Sequence, residues 1–119
     1  MEQKEKIDAL QGVIDKALEI YKEGKTEIQS DGYELNKKYE KFIPKEWYGF
    51  DIGMLIPSHI MTPIIMVSDA LTNLFPDVHI LQVKWKFGGL RYYVHNVPKE
   101  VDDMIFYFTC KIHYKKATY

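Results

Sequence analysis

Residues 82–95 alternate apolar and polar side chains around Gly88-Gly89, and this pattern predicts a β-hairpin with a two-residue turn. With Gly88 and Gly89 as the turn, Lys86 lies opposite Arg91 and Lys84 opposite Tyr93. A turn with an odd number of residues would bring apolar residues of one strand opposite polar residues of the other, so we expect an even turn. One face of the hairpin then packs on the rest of the chain and carries Leu81, Val83, Trp85, Phe87, Leu90, Tyr92 and Val94.

Two helices are predicted in the N-terminal part of the chain. Apolar residues recur at helical spacing from Ile7 to Tyr21, and Gly24 follows as a stop. This stripe fits either packing on the domain's own core or a coiled-coil seam between copies. Asp31 and Glu34 have capping-box spacing and predict the start of a short second helix, which ends before the next proline.

Two further helices flank the hairpin. Thr62 and Pro63 have the character of an N-cap and a first helical residue, and a last helix follows the hairpin. The sequence has no repeats and no low-complexity linkers. We therefore predict one α+β domain over residues 1–119, in which helices pack on a β-hairpin that is followed by a C-terminal helix. Its parts are an N-terminal helix over 1–24 and a helix-hairpin-helix unit over 62–119.

The charges are distributed unevenly along the chain. The total is −1, from 16 Lys and Arg against 17 Asp and Glu, which is too balanced for a strongly basic nucleic-acid-binding protein. Yet the stretch from Val78 to Lys99 holds four cations and no acid, so the remaining 97 residues carry −5. The only arginine, Arg91, lies within it. Like charges that face each other across two strands are destabilising unless something negative neutralises them.

This cationic face of the hairpin has two interpretations. In the first it binds an anion: Arg91 offers a planar fork for phosphate or carboxylate, and Lys84 and Lys86 add positive charge. The polar residues that could add hydrogen bonds or stacking are Gln82, Tyr93 and His95. In the second it is a solvated outer face, whose cations either limit aggregation or pair with acids of the last helix, namely Glu100, Asp102 and Asp103.

A second candidate surface is the loop-like stretch over residues 44–59, which is rich in aromatic residues. Tryptophan and tyrosine are favoured at protein interfaces, so this loop could dock a partner protein. Its candidate docking residues are Trp47, Tyr48 and Phe50. The alternative is that these side chains are tucked into the core.

The segment VKWKFGGLRYYV, from Val83 to Val94, resembles a signature, roughly V-K-x-K-F-G-x-L-R-[FY]-Y, of small uncharacterised proteins found in phages, prophages and bacteria. Those proteins often carry C-x-x-C at the start of a zinc-ribbon-like tail. The corresponding stretch here, Cys110 to His113, has one cysteine, so we expect no metal site and no cofactor. The resemblance implies a small accessory protein, of a kind in which many act against host defence by binding a protein or sequestering a nucleotide signal.

Catalysis is not expected, and we assign no catalytic residue. The sequence has no P-loop, dinucleotide fingerprint or G-x-S-x-G motif, and the adjacent Asp102 and Asp103 point in different directions on a helix. The charged start, MEQKEKID, indicates no signal peptide, and no uncharged run is long enough to span a membrane. We expect a cytoplasmic protein, in the host cell if it is phage-encoded, without a membrane partner.

The leading hypothesis is a non-enzymatic, phage-type anti-defence protein that binds an anionic small molecule on the polar face of the hairpin. A phosphorylated nucleotide signal is the ligand we expect, held by a homo-oligomer. The alternative hypothesis is a protein inhibitor of a host defence enzyme that acts through the aromatic loop or a helical surface. Nucleic acid is not expected as a partner, because three or four cations on this chain would bind it only weakly.

Overall fold

The computed structural model describes residues 1–24, 31–51 and 58–112. Its elements are, in chain order, α1 (Gln3–Glu23), α2 (Gly32–Lys38), a 3-10 helix (Glu40–Phe42), β1 (Gly49–Phe50), α3 (Ser58–Leu74), β2 (His79–Lys86), β3 (Gly89–His95) and α4 (Lys99–Lys111). The strands form one mixed sheet in the order β1-β2-β3, with β1 parallel and β3 antiparallel to β2. The prediction of an α+β domain with a C-terminal helix is confirmed.

The apolar stripe of α1 packs within the domain's own core. Leu10, Ile14 and Ala17 are fully buried, and α1 lies against α3 and α4. The helix ends at Gly24, whose φ of 69° is the left-handed conformation that glycine adopts readily. Of the two interpretations of this stripe, core packing is therefore the correct one, and the stripe is not available as a seam or docking surface.

The predicted cap of α2 is confirmed. The Asp31 carboxylate accepts a hydrogen bond from the backbone N–H of Glu34 at 2.9 Å, which satisfies a donor that the first turn leaves free. The α-helix ends at Lys38, earlier than the sequence predicts, and a 3-10 turn continues the chain.

Helix α3 begins at Ser58, four residues before the predicted cap at Thr62, and Pro63 lies inside it. Ile60 and Met61 in this added turn are buried. Burying each such side chain stabilises the fold by about 1.5–3 kcal/mol, enough to offset the one helical hydrogen bond that Pro63 cannot donate. The helix that precedes the hairpin therefore starts at 58 rather than 62, and the end of the predicted unit, residues 113–119, lies outside the described residues.

The hairpin forms, but its turn is Phe87-Gly88 rather than Gly88-Gly89. The φ angles of 54° and 73° at these two positions are those of a type I′ turn. Lys84 therefore pairs with Arg91, and Lys86 with Gly89. Moving a two-residue turn by one position leaves the side chains that stay in the strands on the same faces, so alternation alone does not separate the two registers.

Two apolar residues of the hairpin are not on the packed face where the sequence predicts them. Phe87, predicted on the packed face, is the first turn residue and is 90% exposed. Leu81 forms a bulge between Ile80 and Gln82, which have consecutive partners on β3. The extra residue lets both Ile80 and Val83 face the core, where both are fully buried. Leu81 consequently lines the outer face of the sheet.

The short strand β1 lies in the stretch that the sequence presents as a loop. Asp51 donates its backbone N–H to the carbonyl of Val83 at 2.9 Å. On the other side, the Asn36 side-chain amide bonds both backbone groups of Phe50, accepting from its N–H at 2.6 Å and donating to its carbonyl at 2.7 Å. Gly49 has a φ of 62°, and a Cβ there would lie 2.6 Å from Ile43. Glycine is therefore required where this strand begins.

Within the described ranges, no helix is both long and apolar enough to cross a membrane.

Candidate functional site

A groove of about 700 Å³ runs across the outer face of the sheet, on the side away from the buried core. Its floor includes the predicted polar-face residues Gln82, Arg91 and Tyr93. Helix α4 forms one wall through Asp102 and Phe106. At the opposite end lies Trp47, from the loop that leads into β1, and the groove thus joins three separate parts of the chain.

Arg91 is the one cation among the described residues that line this groove. It is exposed and lies directly across the hairpin from Lys84. No described carboxylate lies within 4.0 Å of Arg91, and the ion pair between Lys38 and Asp69 is in another part of the molecule. The acids of the last helix therefore do not make the direct ion pairs with the hairpin cations that one interpretation expects, whereas a solvated outer face stays a prediction.

The other predicted ligand-binding residues are placed along the same hairpin. Gln82 lies opposite Tyr93, which is 48% exposed. Lys86 lines a smaller hollow at the hairpin tip, and Arg91 lines both depressions. His95 pairs with His79 at the far end of the strands and does not line the groove. The structure therefore brings Gln82, Arg91 and Tyr93 together and leaves His95 apart, whereas Lys84 lies opposite Arg91 but lines neither depression.

The aromatic loop contributes one residue to the groove. Trp47 lines it, whereas Tyr48 is 72% exposed outside it. Phe50 is fully buried, with its ring 5.4 Å from that of Tyr39, so its prediction as a docking residue is wrong. The cause is β1: pairing with β2 turns the Phe50 side chain into the core, as the alternative interpretation of the loop expects for this residue.

Sequence reasoning missed Phe106 as a site residue. It is 70% exposed and lies between Asp102 and Thr109 at helical spacing, so these three share one side of α4. Val101, Ile105 and Phe108 are the buried side of the same helix. A large aromatic residue on the side opposite the core stripe was the available signal. It could be recognised only once the helix was known to flank the hairpin.

Two acids complete the groove's lining. Asp102 and Asp103 both line it, although neither is within ion-pair distance of a described cation. A carboxylate accepts hydrogen bonds and repels anions. The groove therefore has a cationic floor at Arg91 and an acceptor-rich wall on α4, so a purely anionic ligand would suit only part of it.

Beneath the floor, the core side of the sheet is fixed by a buried hydroxyl pair. The Tyr92 hydroxyl lies 2.7 Å from that of Ser68 on α3. Burial is the main cause that raises the pKa of Tyr92 well above its ordinary value, and the hydrogen bond with Ser68 partly opposes it. Tyr92 is thus a protonated anchor, which holds its neighbours Arg91 and Tyr93 on the opposite face.

The described residues contain no group of three or more histidine, cysteine or acidic side chains placed to hold a metal ion. Cys110 is exposed, and His113, the other predicted member of the tail motif, lies outside the described residues.

Comparisons of the chain with known protein families, with curated protein sequences and with solved structures found no match. The groove itself is therefore the basis for a functional assignment.

Proposed function

We propose that this protein binds a phosphorylated nucleotide in the groove without turning it over. The observation that carries the proposal is Arg91, an exposed arginine at the centre of an aromatic-lined groove with no described carboxylate in ion-pair range. A guanidinium binds a phosphate through two parallel hydrogen bonds, and its cross-strand partner Lys84 adds charge on the same face.

The remaining lining suits the base and the sugar. Trp47, Tyr93 and Phe106 present aromatic surface on which a planar base can stack. Asp102 and Gln82 offer acceptors for the hydroxyl groups of a ribose or the amino group of a base. The acids on α4 would also disfavour ligands that carry only negative charge, such as inorganic phosphate.

Isothermal titration of nucleoside mono-, di- and triphosphates tests this proposal. We expect Arg91→Ala to weaken binding about 10- to 100-fold, because a hydrogen bond to a charged group contributes about 1.5–3 kcal/mol. Arg91→Lys should be intermediate, since lysine keeps the charge but loses the fork. The control is Lys16→Ala, which removes one exposed positive charge on α1, away from the groove. Failure of every nucleotide to bind, or equal losses in Arg91→Ala and Lys16→Ala, would refute the proposal.

Discrimination against simple anions is a separate prediction. If Asp102 accepts from the nucleotide's hydroxyl or amino groups, Asp102→Asn should weaken nucleotide binding and strengthen pyrophosphate binding. The ratio of the two dissociation constants measures this directly. An unchanged ratio would mean that the acid wall has no part in recognition.

The biological context is also part of the proposal. The resemblance of residues 83–94 to phage and prophage proteins supports an accessory protein that acts in the host cytoplasm by sequestering a nucleotide signal. We also propose that the chain assembles into a homo-oligomer, which sedimentation at several protein concentrations would reveal.

A protein inhibitor is the second candidate, and the exposure of Tyr48 favours it. Tyr48 does not line the groove, so it separates the two functions better than Trp47 does. Under the protein-inhibitor function, Tyr48→Ala should abolish binding to a purified partner and Arg91→Ala should not. Under nucleotide binding, Tyr48→Ala should leave the dissociation constant unchanged.

A further inference from the structure

Phe87 occupies a position that its own chemistry disfavours. It has a φ of 54°, in the left-handed region, where bulky residues are uncommon and asparagine, aspartate or glycine are preferred. At 90% exposure, its ring also gains almost nothing from burial. The hairpin would be more stable with a different residue at this turn.

One local contact involves the ring: the Nζ of Lys86 lies 5.1 Å from its centroid. Cation–π contacts at exposed sites contribute about 0.5–1 kcal/mol, and the backbone strain is of order 1–3 kcal/mol. Residues that keep such strain without a structural gain cluster at functional sites. The ring is therefore presented at the surface at some cost to the fold.

The surface beside Phe87 continues the groove. A hollow of about 280 Å³ at the hairpin tip is lined by Lys86, Phe87 and Cys110. It shares four lining residues with the groove, namely Leu90, Arg91, Phe106 and Thr109. The two depressions are thus one elongated surface, with Trp47 at one end, Phe87 at the other, and Arg91 in the middle.

From this arrangement we propose that the ligand is a dinucleotide. Its phosphate lies on Arg91, one base stacks at the Trp47 end, and the second base stacks on Phe87. Such a ligand complements the surface in charge and shape, because an anionic centre with a planar aromatic group at each end matches a cation between two aromatic ends. A mononucleotide would occupy only the Trp47 end, where the larger of the two depressions lies. This inference rests on the proposed function and specifies its ligand class.

Phe87→Asn tests the inference without damaging the hairpin. Asparagine followed by glycine is the preferred pair for a type I′ turn, so this variant removes the ring and should raise the melting temperature. We expect wild-type protein to bind the linear dinucleotides pApA and pGpG at least about tenfold more tightly than AMP and GMP, since stacking one base contributes about 1–3 kcal/mol. Phe87→Asn should reduce dinucleotide affinity to the mononucleotide level and leave mononucleotide affinity unchanged.

Tyr107→Ala is the matched control, because Tyr107 is a half-exposed aromatic residue of α4 that lines neither depression. It should leave both affinities unchanged. Cys110 gives a second measurement in unmodified protein: it is the chain's only cysteine, it is exposed, and it lines the hollow. A bound dinucleotide should slow its alkylation by iodoacetamide, and a bound mononucleotide should not.

The outcomes separate the two proposals. If no nucleotide binds, the proposed function itself fails. If mono- and dinucleotides bind equally and both depend on Arg91, the proposed function stands and the dinucleotide inference is wrong. If the hexanucleotides (pA)6 or (pG)6 bind more tightly than the corresponding dinucleotide, the groove follows a single strand, and the inference is also overturned. Equal losses in Phe87→Asn and Tyr107→Ala would likewise contradict it.

Discussion

Single side chains decide both the chemistry of the groove and the rigidity of its floor. Arg91 and Tyr92 are neighbours on β3 and point to opposite faces: one is exposed in the groove, and the other is buried and bonded to Ser68. This alternation is the elementary property of a strand. The burial of Tyr92 and its bond to Ser68 hold the backbone of β3 in place. Arg91 is carried by the same backbone, so it is positioned without a contact of its own side chain.

The buried tyrosines predict how stability depends on pH. Burial is the main cause that raises the pKa of both Tyr92 and Tyr39, and the Asp69 carboxylate adds to it at 2.6 Å from the Tyr39 hydroxyl. Tyrosines in the unfolded chain ionise near pH 10, whereas these remain protonated when folded. Their contribution is complete below about pH 10 and is lost as pH rises further, by about 1.4 kcal/mol per pH unit for each tyrosine.

Tyr92→Phe should therefore flatten the alkaline fall in the free energy of unfolding by about half, measured by urea denaturation between pH 9 and 11. At neutral pH it should cost about 1–2 kcal/mol, because Ser68 loses its buried partner. An unchanged slope would show that Tyr92 is not a protonated buried group.

Elements differ in how far the sequence determines them. Alternation on residues 82–95 correctly predicts an even turn and the two faces of the hairpin, except at Phe87, which is an exposed turn residue. It does not determine the register, since a shift of the turn by one residue preserves both faces, and it does not reveal the bulge at Leu81. Strand β1 has two residues, too few for any period to be visible. The groove forms because α4 lies beside the hairpin, and this tertiary contact is not visible in the local sequence pattern.

On its outer side, strand β1 is hydrogen-bonded to the side chain of Asn36 instead of to another strand. Asn36→Ala would remove both hydrogen bonds to Phe50 and leave partly buried backbone groups unsatisfied. We expect a loss of about 1–3 kcal/mol in the free energy of unfolding. The control is Asn73→Ala on the exposed side of α3, which should have little effect. Equal effects of the two substitutions would contradict a special role for Asn36.

At the scale of the whole molecule, the N-terminal helix completes the core beneath the site. The signature-like segment lies in the last third of the chain, yet α3, which supports it through Ser68, is itself covered by α1. Leu10, Ile14 and Leu18 are buried there. At about 1.5–3 kcal/mol each, their burial is comparable to the whole net stability of a small domain, about 5–15 kcal/mol.

Removal of residues 1–24 should accordingly abolish cooperative unfolding, measured by circular dichroism during a thermal ramp. Restoring the helix as a separate peptide should recover part of the folded signal. A truncated chain that still unfolds cooperatively near the wild-type midpoint would show that the helix-hairpin-helix unit folds by itself.

Each margin of the sheet bonds to a group from outside it. The Asn36 amide covers Phe50 on β1, and the carbonyl of Ile112 accepts from the backbone N–H of Leu90 on β3 at 3.3 Å. Free strand margins are where chains recruit one another into fibres and swapped dimers. These contacts cover part of each margin, so they shorten the length of strand at which a second copy of the chain could pair.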